Sequence, residues 1–203
     1  MALSQNKRNQ QIAKKKKKKK EILQAKKQED NKCSAISDLS LIPVEECYIT
    51  ENWQEGGLGC ILIIRKRMDT QFIVTNILLD TYCLGVKNCQ NHKLNLEDKN
   101  QYIRNAIQLM PVAAEYIKKL INESIKFASQ FNFKPHPSYT SIKRYVDNLP
   151  DTEDIYDFQL GDKEGNPLYI QEPYDSDEFA FEVTEKLQNS GAEFNTMMLM
   201  KQY

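Results

Sequence analysis

Hydrophobic and polar positions divide this chain into three stretches of different character. Residues 1–31 are Lys, Gln, Asn and Ala with almost no aromatic or β-branched side chain. Such a stretch cannot bury enough apolar surface to offset its ordering entropy. It reads as a disordered arm, partly helical where residues 21–27 are helix formers. Order is expected to begin near Ser37. Residues 43–50 read as a first strand, with Trp53 at the edge of the core and Gly56-Gly57 as a turn. Residues 60–65 form a short apolar run, and residues 72–84 a longer one rich in β-branched and aromatic residues. The polar link 66–70 between them predicts an antiparallel hairpin.

Beyond residue 90 the period changes. Ala113, Tyr116, Ile117, Leu120, Ile121, Ser124, Phe127, Ala128 and Phe131 recur at helical spacing, with Pro111 placed in the first helical turn. Residues 94–109 predict an earlier, less regular helix. Pro135 and Pro137 end the long helix, and Ser138 is positioned to cap another through Val146. Residues 157–160 and 168–170 flank Gly161–Pro167 and read as a second hairpin. Asp175, Asp177 and Glu178 start a closing helix at the positive end of its dipole. The economical assembly is α+β: a mostly antiparallel sheet of three N-terminal strands plus the later hairpin, with helices packed on one face. The expected organisation is an arm over residues 1–36 and one domain over 37–203.

Charge changes this picture more than composition does. The chain holds 28 Lys and Arg against 28 Asp and Glu. Residues 1–32 contain twelve of the positive residues and three of the negative ones, so the arm carries +9 and the remainder −9. A polyanion would meet the arm first and be repelled by most of the body. Lys14, Lys15, Lys16, Lys17, Lys18, Lys19 and Lys20 are consecutive, and they offer phosphate contacts that carry no base information. No aromatic residue is interleaved to stack bases. RNA or DNA phosphate is therefore the expected partner, with an acidic protein surface as the alternative. Arg65, Lys66 and Arg67 form the dense basic cluster of the body and the expected second contact.

Five cysteines without the apolar core of a signal peptide fit a reducing, cytoplasmic setting. No run approaches the roughly 18 apolar residues of a membrane-spanning helix.

Three segments together resemble an uncharacterised family of bacterial proteins: Trp53 with Gly56-Gly57 and the run through Arg65, then Leu79-Asp80-Thr81-Tyr82-Cys83-Leu84-Gly85-Val86-Lys87, then Phe127-Ala128 with Phe133-Lys134-Pro135-His136-Pro137-Ser138-Tyr139. The element Gly165-Asn166-Pro167-Leu168-Tyr169-Ile170 is similar to a later one of that family. The chain departs from the family at Asn88-Cys89 and at Lys126-Phe127. The resemblance implies a shared fold unit and supplies no activity.

The candidate chemistry is sparse. Asp80 interrupts an apolar strand, where an unpaired carboxylate would cost several kcal/mol. It must be paired, protonated or solvent-facing, and Lys87 and His136 are its candidate partners. Were the three to converge in an open pocket, they would suit a hydrolase such as a nuclease. Otherwise Asp80 is a structural residue bonded to turn amides or a lysine. Cys83, Cys89, His92 and His136 are ligand types for zinc, but their spacing matches no paired-cysteine knuckle, so no metal is expected. Cys83 with His136 is the weighed nucleophile pair, against an inert core thiol. Nothing asks for a cofactor. The expected function is a non-enzymatic nucleic-acid- or ribosome-associated protein, with the hydrolase and a protein-interaction module as competitors.

Overall fold

Two units make up the chain, residues 1–41 and Ile42–Tyr203. The computed structural model describes residues 42–68, 70–106, 108–173 and 175–199. The Lys-rich arm, with Lys14 to Lys20, lies outside the described residues.

The body is α+β. Five strands form an antiparallel sheet in the order β4-β3-β2-β1-β5: β1 Val44–Thr50, β2 Leu58–Met68, β3 Gln71–Asp80, β4 Gly85–Leu94 and β5 Leu109–Pro111. Between β1 and β2 a single helical turn, α1 (Trp53–Gly56), buries Trp53. The β2–β3 hairpin is tighter than the predicted 66–70 link, since pairing continues to Met68↔Gln71. Ile61, Leu62, Ile63 and Ile64 are all 0% exposed. Successive side chains of a strand point to opposite faces, so an uninterrupted apolar run requires cover on both.

Both faces are covered. On one, Ile61, Ile63, Ile77 and Leu79 pack with Ile117, Leu120 and Ile121 of α3 (Ala114–Ser129) and with Ile142 and Val146 of α4 (Tyr139–Asp147). On the other, Leu62, Ile64, Phe72 and Val74 meet Tyr102 and Ile103 of α2 (Leu96–Asn105). Helices packed on a single face were the expectation, and α2 departs from it. Leu62 and Ile64 supply the reason, because they leave an apolar second face.

Three further expectations are corrected. Pro111 ends β5 rather than opening a helix, and the helix begins at Ala114. An edge strand tolerates a residue that has no amide hydrogen. Residues 88–92, whose polarity predicts no strand, belong to β4. Their polarity fits the sheet edge, where Thr75 Oγ1 donates to Asn91 Oδ1 at 2.7 Å. The second hairpin does not form. Residues 151–160 have no regular structure, and β6 (Leu168–Gln171) instead pairs in parallel with β7 (Asn195–Met198) across α5 (Asp177–Ser190). Lys118 Nζ donates to Leu149 O and Lys119 Nζ to Asp154 O. Together with Phe158, in ring contact with Trp53 and Tyr116, they hold the irregular stretch on the body.

A second, smaller core lies under β6. Cys83, Leu84, Ala128, Phe131, Phe133, Tyr169, Val183 and Leu187 form it. Ser176 caps α5 by accepting from Phe179 N at 3.1 Å. Among the described residues no helix is long and apolar enough to cross a membrane.

Candidate functional site

The turn between β3 and β4 is a junction for distant segments. Asp80 Oδ1 accepts from the amides of Tyr82 and Cys83, each at 2.9 Å, and so closes the turn. Thr81 N and Oγ1 both donate to Gly57 O, at 2.8 and 3.1 Å. Thr81 O accepts from Gly161 N, and Tyr82 O from Leu168 N, each at 3.0 Å. The Tyr82 ring lies against Gly57, where a Cβ would come within 2.2 Å of it. Burial pushes the Asp80 carboxyl up to about 6, against the pull of those amides and of Lys87.

Asp80, Lys87 and His136 do not form one pocket. Asp80 lines a cleft of about 590 Å³ with Gly57, Tyr82, Ile170, Glu172 and Met197. Lys87 and His136 line another, of about 630 Å³, with Phe133, Lys134, Phe179 and Lys186. Lys87 Nζ makes an ion pair with Glu172 Oε1 at 2.6 Å. The carboxylate that engages Lys87 is thus one that sequence reasoning missed; β6 ends immediately before it, and only the strand's placement brings it there.

Backbone and hydroxyl contacts fix His136. Its amide donates to Val86 O at 2.9 Å, which ties the Pro-His-Pro turn to β4. Its Nδ1 lies 2.8 Å from Ser138 Oγ. Ser138 Oγ accepts from Cys89 N at 2.9 Å and faces a second acceptor, Asn88 Oδ1, at 3.4 Å. Nδ1 also accepts from Ser138 N at 3.3 Å, which leaves Nε2 as the ring nitrogen available to donate. Ser138 occupies the first position before α4, but its side chain caps no amide of that helix; the contacts to Cys89 and His136 use it instead.

No family model, characterised protein or solved structure matches this chain. The site is therefore read from its own geometry. Cys83 is fully buried in the small core, and burial pushes its thiol up. The same effect carries Cys89 to about 11 and Cys47 to about 12. A thiol so disposed is protonated near neutrality and a poor nucleophile. His92 packs against Tyr102 with ring centroids 5.2 Å apart. Among the described residues no group of three or more His, Cys, Asp and Glu could hold a metal ion.

The basic cluster is split by its strand. Lys66 and Arg67 are exposed, whereas Arg65 is 2% exposed and points inward. Its Nη2 donates to Tyr145 O at 2.7 Å, and its guanidinium carbon lies 5.9 Å from the Tyr145 ring centroid. Arg65 is thus withdrawn as a phosphate contact. Lys93 joins Arg67 in lining a depression of about 330 Å³ beside the hairpin tip. Phe133 and Lys134 lie in the Phe133–Tyr139 segment that carries the resemblance but were given no role from sequence, and Phe179 and Lys186 were not noted at all. Lys134 stands beside a noticed turn, but Lys186 and Phe179 carry no local signal.

Proposed function

We propose that this is a non-enzymatic, nucleic-acid- or ribosome-associated cytoplasmic protein that holds phosphates through its N-terminal Lys-rich arm. The separation of charge carries the reading: +9 over residues 1–32 and −9 over the rest. Releasing counterions from phosphate favours the arm, while the acidic body disfavours broad docking and confines contact to local basic points. Lys66 and Arg67 at the hairpin tip supply one such point. The hydrolase reading asks for Asp80 at the reacting atoms. Asp80 instead closes a turn and lines a cleft other than that of His136.

The test keeps the full chain and replaces Lys14 to Lys20 with Gln. Wild-type protein is expected to bind RNA and DNA oligomers with affinity falling steeply as salt rises, by roughly 0.7 to 0.9 in the log–log slope per phosphate contacted. The Gln chain should lose most of that slope. Equal affinity and slope in the two chains would refute the reading, and retention of one protein partner after nuclease treatment would point to an interaction module.

A further inference from the structure

We infer that the cleft bounded by β4, the 132–137 turn and α5 binds one nucleotide unit of a single strand, its base against the exposed ring of Phe179 and its phosphate at Lys134 and Lys186. The inference rests on the phosphate-binding reading only for the choice of ligand; the cleft itself belongs to the body.

Its size, about 630 Å³, lies within the range of small-ligand sites. The walls and rim differ in chemistry. Leu84, Val86, Phe133 and Phe179 give an apolar, aromatic wall, and Lys87, Lys134, His136 and Lys186 the polar one. Glu182 is the lining carboxylate, so positive charge predominates. Lys87 is engaged by Glu172, which leaves Lys134 and Lys186 as the phosphate contacts. Both are exposed, and Lys186 Nζ lies 5.7 Å from the Phe133 ring centroid, placing a cation beside an aromatic face.

A purely anionic ligand would leave the aromatic wall without a function, and a purely apolar one would leave the cations unpaired. A nucleotide satisfies both, because every base offers a π-face beside a phosphate. His136 adds a directional donor. Its ring is set by Ser138 and its backbone by Val86, so Nε2–H is oriented before any ligand arrives. The basic arm lacks aromatic side chains for stacking; the cleft provides one in Phe179.

The chain has two histidines, so imidazole NMR signals of the full-length protein give one reporter at the cleft and one away from it. Uridine 5′-monophosphate should shift the His136 signals saturably and leave those of His92 in place. The Lys134→Glu, Lys186→Glu double variant should weaken this response about tenfold, and Phe179→Ser about fivefold, by loss of phosphate and stacking contacts respectively. Inorganic phosphate should bind about tenfold more weakly than the nucleotide. A silent His136 at millimolar nucleotide overturns the site. So does an equal response to inorganic phosphate, or one undiminished in the double variant. The chain with Lys14 to Lys20 replaced by Gln should give the wild-type response. Arm-dependent polymer binding with a silent His136 overturns the cleft alone. A responding His136 with arm-independent polymer binding overturns the arm reading alone.

Discussion

Two buried charged residues show what a single side chain decides here. Folding raises the Asp80 carboxyl from 3.8 to about 6, chiefly by burial. Between roughly pH 4 and 6 the folded state therefore holds its proton more tightly than the unfolded state. The resulting stability is complete below pH 4 and lost as pH rises through about 6, a span of about 3 kcal/mol. Asp80→Asn keeps an oxygen for the two turn amides and removes this titration. Urea unfolding at pH 4.5 and 7.5 should show wild type losing about 2 kcal/mol of stability relative to Asp80→Asn, the rest of the span being lost below pH 4.5; a relative gain would mean that the carboxylate is held ionised. Arg65 offers a different case. One of its nitrogens is bonded to Tyr145 O, while Nε and Nη1 have no hydrogen-bond partner among the described residues. Burial of a charge so incompletely satisfied is unfavourable, and an apolar residue of similar length should be neutral or stabilising. Arg65→Met is expected to change unfolding free energy by between zero and about +2 kcal/mol. Nucleic-acid affinity should be unaffected. A clear loss of stability would reveal an anion paired with the guanidinium.

At the scale of elements, the β3–β4 hairpin organises its surroundings, and Gly85 sets how closely a helix can approach it. Gly85 has φ +69°, and a Cβ there would lie 3.2 Å from Ala128 Cβ and 3.4 Å from Ser124 O on α3. Gly165 has φ +84° with nothing within 4 Å of its would-be Cβ. Alanine at Gly165 should cost only the backbone term, about 1 kcal/mol. At Gly85 the helix must also shift, so about 2–3 kcal/mol is expected. Thermal unfolding of the two variants checks this, and similar losses would show that α3 yields freely. The hairpin and long helix were legible because each has a clean period: β-branched runs around a polar link, and apolar residues three and four apart. Strand β4 was not, since an edge strand with Asn88, Gln90, Asn91 and His92 lacks an apolar face. The failed second hairpin shows the same limit. Residues 168–170 do form a strand, but their partner lies beyond a helix, and local alternation cannot specify a partner that distant.

The whole molecule is governed by where its charge sits. If phosphate is met first by the arm, then contacts on the body should be few and additive. Replacing Lys66 and Arg67 with Gln should reduce the salt slope by at most about two phosphate contacts, far less than replacing Lys14 to Lys20. A salt-series titration of both full-length variants tests the order, and equal reductions would place the affinity on the body. Charge segregation, the α+β class, the central hairpin and the long helix follow from the sequence itself, because each is a property of neighbouring residues. The clefts are of another kind. Asp80, Lys87 and His136 were marked by residue type, yet their grouping depends on which strand and helix each adjoins. Glu172 reaches Lys87, and Phe179 and Lys186 reach the cleft of His136, only through the packing of β6 and α5 against the end of the sheet. Arg65 is buried by its register between Val44 and Ile73, although Lys66 and Arg67, which follow it in the basic cluster, are exposed. Contacts between residues far apart in the chain are selected by burial of shared apolar surface, a quantity that exists only once the elements have met.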